Sequence, residues 1–190
     1  GTDPVLSVTV DEGTFVQIQL AVPAALNLGT GVDETGVTEA LSGTVARDLR
    51  ISGFFNLLDP AQVLANPKKE GMKPVYRDWF NSGAQGLVKI GFKASGDKVL
   101  VDMRLFSVDG NEQVKLPKPY DGPVELAAKT SDLRHHAHGF ANEVIAHYTQ
   151  TKGFFGSHIV LVKRTKKSKD IYLVSADGME ETRLTKAKGI

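Results

Sequence analysis

Cysteine is absent from the 190-residue chain, so disulfides, thiolate metal sites and a cysteine nucleophile are excluded. An excess of one charge is lacking as well: 23 basic and 22 acidic residues leave a formal net charge of +1. That balance gives no general attraction to nucleic acid or anionic lipid. Long apolar runs are missing, and no segment approaches the roughly 20 apolar residues of a membrane span. No charged start followed by an apolar core marks a secretion signal. Phosphate-loop and nucleophile-elbow signatures are absent too. Gly29-Thr30-Gly31 is half of a glycine loop, with no Gly-x-Gly-x-x-Gly and no Gly-Lys-Ser/Thr, and there is no Gly-x-Ser-x-Gly. The adjacent carboxylates Asp33/Glu34 and Glu180/Glu181 point in different directions and make a poor acid–base pair.

What remains is enough for a core: 41% of residues are hydrophobic and 24% charged, the balance of one ordinary domain with an extension. Residues 14–23 alternate, with Val16, Ile18, Leu20 and Val22 on one face, and stop at Pro23, which predicts a strand. Asp33 is placed to cap a helix in which Val37, Leu41, Val45 and Leu49 recur every fourth residue, with Gly53 as its stop. A short extended piece follows at 54–60, then a helical turn from Pro60 to Ala65, a loop at 66–73 and a short helix at 75–82. Three strands come next, at 86–94, 98–108 and 112–120, joined at Gly96-Asp97 and Asp109-Gly110. A long helix is expected over 126–150, its apolar stripe made by Leu133, Ala137, Phe140, Ala141, Val144 and Tyr148. The order predicts an α/β (α+β) fold, a mixed sheet packed with helices. Beyond Gly153 the pattern changes. Ile159–Val162 and Ile171–Val174 alternate around a basic turn at 163–169, and Asp177-Gly178 leads into Glu181-Thr182-Arg183-Leu184-Thr185. So short an antiparallel piece cannot bury its faces alone, and it reads as the opening of a repeat.

Two constellations invite a chemical reading. His136, Glu143 and His147 fall in one arc of the long helix, a set able to hold zinc or iron. The arc also borders the apolar stripe, where solvated polar residues belong, and that reading is preferred; no metal and no cofactor is expected. The basic turn could grip phosphates, but it has no aromatic interleaving and lies where a hairpin must turn. Nucleic acid is therefore not expected as a partner.

Several stretches, in order along the chain, resemble the TolB family. They are Leu20-Ala21-Val22-Pro23, Ser42 to Pro60, Trp79 to Gly91, Leu133 to His138 running on to Lys152-Gly153-Phe154-Phe155, and Asp170 to Leu184. At Ser157-His158-Ile159 the chain departs from the family's usual Thr-Arg-Ile. The resemblance implies an arm at 1–12, an α/β domain at 13–153, and at 154–190 a linker and an incomplete first blade of a six-bladed β-propeller. It implies a periplasmic location with the signal peptide removed, no catalysis, and a monomer. It also implies an adaptor role in the Tol-Pal envelope system. The TolA-like C-terminal domain would bind the arm through Val8, Thr9, Val10 and Asp11, by strand addition. A Pal-like lipoprotein would bind the propeller. Arg134, His138, Phe155 and His158 are expected at the junction of the two units. The rival reading is a ligand- or nucleic-acid-binding α/β module.

Overall fold

In the computed structural model the described residues are 16–30, 36–164 and 169–185. The arm residues Val8, Thr9, Val10 and Asp11, and the helix cap Asp33, lie outside them. Strand β1 (Ile18–Ala21) lies between β3 (Phe55–Leu57) and β4 (Gly86–Ser95) and is parallel to both. β4 and β5 (Lys98–Ser107) form a ten-residue antiparallel ladder from Gly86↔Ser107 to Ser95↔Lys98. The short strands β2 (Leu26–Asn27), β6 (Glu112–Val114) and β7 (Val124–Ala127) complete a mixed seven-stranded sheet.

Both faces of this sheet are covered. Alternate residues of β4 therefore enter two cores, because successive side chains of a strand point to opposite faces. Val88, Ile90 and Phe92 meet one helical layer with Leu20, Val101, Met103 and Leu105. That layer is α1 (Thr44–Ile51), entered through a wide π-helical turn at Glu39–Gly43, and α4 (Thr130–Thr149). Val45 and Leu49 of α1 and Phe140, Ala141 and Val144 of α4 are fully buried there. Leu87, Ala21 and Phe106 face the other side, around Trp79 of α3 (Tyr76–Asn81). Gly53 ends α1 in the left-handed region, at φ 76°, the conformation in which glycine pays no Cβ penalty.

Four sequence expectations are corrected. The long helix does not begin at Leu126. Val124–Ala127 is β7, paired antiparallel to β5 from Val101↔Val124 to Lys98↔Ala127, and the helix starts at Thr130. Leu126 packs on the main core from this strand. The strand at 112–120 stops at Val114, short of Pro117 and Pro119, which have no amide to give a ladder. The loop at 66–73 contains a helical turn, α2 (Pro67–Glu70), whose Asn66 cap accepts from the Lys69 amide at 3.1 Å. The solvated-flank reading fails for His136, which is buried. Tyr120 packs its ring against His136 at 4.8 Å and donates its hydroxyl to the His136 carbonyl at 3.1 Å.

Beyond α4 the chain forms a three-stranded antiparallel sheet, β8 (His158–Arg164), β9 (Lys169–Ser175) and β10 (Glu181–Arg183), in the order β10-β9-β8. Asn142 of α4 anchors the approach to it. Its side chain donates to the Phe155 carbonyl at 2.8 Å and accepts from the Phe155 amide at 3.0 Å. Phe155 is buried in the main core, while Phe154 stacks on it at 4.5 Å. Asn142→Ala removes both bonds, each worth about 0.5–1.5 kcal/mol net. The expected loss is about 1–3 kcal/mol in urea titration, with faster amide exchange at Phe155.

Candidate functional site

The polar chemistry of this molecule is concentrated where the three-stranded sheet meets α1 and α4. Amphipathic packing of those helices turns one edge of each toward that sheet. α1 supplies Thr44, Arg47 and Asp48, and α4 supplies Arg134 and His138, one helical turn apart. The turn between β9 and β10 supplies Asp177 and Glu180. Gly178 has φ 73°, which lets the chain reverse there and presents Asp177 to the helices.

Asp177 is the centre of the arrangement. Its side chain is fully buried. Its Oδ2 accepts from Arg134 Nη2 at 2.5 Å and lies 3.9 Å from both Arg47 Nη1 and His138 Nε2. Its Oδ1 accepts from the Ser175 hydroxyl at 2.6 Å and from the Met179 amide at 3.1 Å. The Arg134 guanidinium also donates to Glu180 at 3.1 Å and to the Thr44 hydroxyl at 3.3 Å. One arginine thus ties α4 to α1 and to the β9–β10 turn. Behind it, His138 Nδ1 faces Asp48 Oδ2 at 2.6 Å. Asp48 Oδ1 and Arg47 Nη1 are buried without a hydrogen-bond partner among the described residues.

These environments set the charges. Burial alone would raise the Asp177 carboxyl. The Ser175 hydroxyl, the Met179 amide and the Arg134 guanidinium outweigh it and hold the group at about 2 instead of 3.8. Burial raises the Asp48 carboxyl above the usual carboxylate range, and the His138 contact opposes that without cancelling it. Burial would lower the Arg134 guanidinium, but Asp177 and Glu180 keep it charged more firmly than usual. Because the folded value of Asp177 is depressed, its contribution is present above the ordinary carboxylate range and is lost as pH falls through the folded value. Asp48 works the other way, since its ionised form costs stability and acid relieves that cost. Amide exchange across 170–185 is therefore expected to accelerate between about pH 4 and about pH 2. Asp177→Asn should remove that acid transition.

Asp48, His138 and Asp177 bring one ligand atom each within 4.8 Å of one another, the one such group among the described residues. Arg134 lies 2.5 Å from the Asp177 oxygen that would bind a cation, and Arg47 lies 3.9 Å from it. Two guanidinium groups already stand against Asp177, so a metal ion would meet fixed positive charge there. His136, Glu143 and His147 do not come together as a metal-binding group among the described residues. His136 lies under Tyr120, and His147 packs edge-on against Tyr148 at 4.9 Å.

Of the residues expected at the junction, Arg134 and His138 sit in this network, and both line a polar cleft with the exposed His158. Phe155 lies in the adjoining core. Sequence reading covered the stretches that contain Thr44, Arg47, Asp48, Asp177 and Glu180 but gave none of them a role at this site.

The family model for the TolB amino-terminal domain matches residues 6–114, more than half of the chain. A Tol-Pal system protein TolB from Geobacter sulfurreducens is 31% identical over 176 residues, covering 91% of this chain and 38% of that protein. Its counterpart from Syntrophotalea carbinolica is 30% identical over 164 residues, covering 85% and 36%. The crystal structure of TolB from Acinetobacter baumannii shares the fold, with a TM-score of 0.66 at 18% identity over 90% of this chain and 39% of that one. This chain spans less than two fifths of the length of each of these relatives. By the match to its N-terminal half and beyond, the chain belongs to the TolB amino-terminal domain family.

Proposed function

We propose that this chain is the N-terminal part of a non-catalytic periplasmic adaptor of the Tol-Pal system. In this reading residues 1–12 form an arm for the C-terminal domain of a TolA-like inner-membrane protein. Residues 13–153 form the α/β domain, and 154–190 are a linker and the first strands of a propeller that would carry the site for a Pal-like lipoprotein. Arg134, His138, Phe155 and His158 act at the junction of the last two. By linking the two partners the protein would serve outer-membrane integrity and envelope constriction during division.

The observation that carries the reading is the match of residues 6–114 to the TolB amino-terminal domain, and the pairing of Asp177 with Arg134 supports its junction. That pairing ties α4 to the β9–β10 turn and supports the reading of a junction between two parts of the chain. Family membership supports the Tol-Pal assignment. No described helix is long and apolar enough to cross a membrane.

Calorimetric titration with the C-terminal domain of the same organism's TolA tests the arm. Saturable binding is expected for the full chain and is expected to vanish for a chain starting at Gly13. Equal binding by both forms would remove the arm from the proposal.

A further inference from the structure

The two edges of the three-stranded sheet are built differently. β10 closes one edge with three residues, and its Glu181 and Arg183 are held in ion pairs with Lys163 and Asp170. β8 forms the other edge with seven residues, every one of them exposed. Its middle reads Ile159-Val160-Leu161-Val162, with no proline and no charge. Shortness, proline and mid-strand charge are the usual guards of a sheet edge against pairing with another chain, and β8 lacks all three.

The free backbone groups of β8 can be assigned. The Ala176 amide donates to the Ser157 carbonyl at 3.0 Å, one residue outside the pair His158↔Ser175. That pair is therefore of the non-hydrogen-bonded kind, and the two kinds alternate along an antiparallel ladder. Ile159, Leu161 and Lys163 direct their amides and carbonyls to Val174, Tyr172 and Asp170. His158, Val160, Val162 and Arg164 turn theirs to the open edge.

We propose that this edge is an interface between two copies of the chain, joined by antiparallel pairing of β8 with β8 and with Leu161 on the two-fold axis. In that register the whole strand pairs, His158 with Arg164, Ile159 with Lys163, Val160 with Val162, and Leu161 with its twin. The hydrogen-bonded positions are then the four residues whose groups face outward, so the strand is complementary to its own copy. Any shifted antiparallel register that keeps this match leaves residues unpaired. The side chains agree. Ile159 and Leu161 extend the apolar strip of Val174 and Tyr172 on one face, and Val160 and Val162 extend that of Leu173 and Ile171 on the other. Charge selects the direction. Antiparallel pairing sets the two Lys163 residues about 14 Å apart along the strands, at about 3.4 Å per residue, whereas in-register parallel pairing would set them side by side. Two three-stranded sheets thus become one continuous sheet, against the monomer that the family resemblance implies. The interface involves neither the arm nor its partner, so it stands or falls apart from the adaptor reading.

A contact made by one strand pair belongs at the small end of specific interfaces, so the full chain should show a monomer–dimer equilibrium with a dissociation constant of about 10–100 μM in sedimentation equilibrium. Val162→Pro removes an outward amide and none that β9 uses, a place where an edge strand accepts proline, and should weaken the dimer by about ten-fold or more. Val160→Lys should do the same by putting a charge at the centre of the paired strands. Amide protection at Tyr172, which pairs with Leu161, confirms that each variant keeps its hairpin. Because native cysteine is absent, single substitutions read the register. Leu161→Cys would place two thiols on a pair with Cα atoms about 4.5 Å apart, within the span of a disulfide, and should give a covalent dimer under oxidised glutathione. Ile159→Cys would lie opposite Lys163 of the second copy and should not.

A chain that stays monomeric at every concentration assigns the edge to a strand of a different polypeptide and overturns the dimer. A dimer unchanged by both Val162→Pro and Val160→Lys is formed by another surface, which also overturns it. Equal cross-linking of Leu161→Cys and Ile159→Cys overturns the register centred on Leu161.

Discussion

Glu70→Ala is expected to cost about 3–5 kcal/mol of unfolding free energy, enough to unfold a large fraction of a marginally stable domain. The reason is Lys89. It sits mid-strand in β4, 1% exposed, on the face that looks toward Trp79. Its Nζ is paired with Glu70 Oε1 and lies 5.8 Å from the centre of the Trp79 ring. Glu70 Oε1 also accepts from the Trp79 indole at 2.8 Å, and its Oε2 accepts from the Val75 amide at 2.8 Å. One carboxylate thus holds α2, the start of α3 and the centre of the sheet.

Removing that carboxylate leaves an ammonium group in an apolar layer with no counter-charge. Burial already depresses the Lys89 amine, and only the Glu70 hydrogen bond and charge oppose the depression. The variant should therefore gain stability as pH rises, because a neutral lysine tolerates the site. Lys89→Met enters as the second half of a double variant, since replacing both members of a buried ion pair by apolar side chains is close to neutral or stabilising, whereas removing one member is not. Glu70→Ala combined with Lys89→Met should recover most of the loss in urea titration. A double variant no better than Glu70→Ala would show that the tie to Trp79 and Val75, and not the orphaned charge, carries the cost.

Arg134→Ala is expected to release the β8–β10 sheet while the α/β body stays folded. The substitution deletes the 2.5 Å bond to Asp177, the 3.1 Å bond to Glu180 and the 3.3 Å bond to Thr44. Asp177 would then be a buried carboxylate with Ser175 and Met179 as its hydrogen-bond donors, and breaking a buried pair from one side costs about 3–5 kcal/mol. The sheet has little to set against that loss. Ile159, Val160, Leu161 and Val162 of β8 are 51%, 63%, 40% and 65% exposed, so its own apolar burial is small. Limited proteolysis should cut within 156–185 first, and amide protection at 170–175 should fall while that at 87–92 is unchanged. Arg134→Lys should rescue only in part, because an ammonium cannot span three acceptors with a planar fork. Uniform loss of protection across both regions would mean that the two units unfold as one.

The α/β layering was legible in the sequence because it rests on periodicity. β4, β5 and the stripe of α4 follow alternation and the i, i+4 rule, and their central residues fall where the pattern puts them. The failures have local causes. β7 has only four residues, and its Leu126 precedes the stripe by seven residues, the spacing of two helical turns. Lys89 broke the apolar run of β4 and gave no hint that it was buried, because its partner lies 19 residues earlier in a segment expected to be a loop. The seam joins residues 43, 46 and 90 positions apart, separations at which spacing carries no signal. Arg134 and His138 were named from family resemblance, whereas Asp48 had no such marker and was passed over as one more polar position of an amphipathic helix.

The placement of β1 between two parallel neighbours has a mechanical consequence. Its ladder pairs Ile18, Gln19 and Leu20 with Phe55, Asn56 and Leu57 on one side, and Leu20 and Ala21 with Gly86 and Leu87 on the other. A tensile load drawn along β1 from its N-terminal end would shear both ladders at once, so that their bonds share the force and fail together instead of unzipping singly. β4, loaded in turn, passes the strain into its ten-residue pairing with β5. Tension entering at this strand would thus be spread over the whole sheet, with β1 acting as the tie rod of the α/β body.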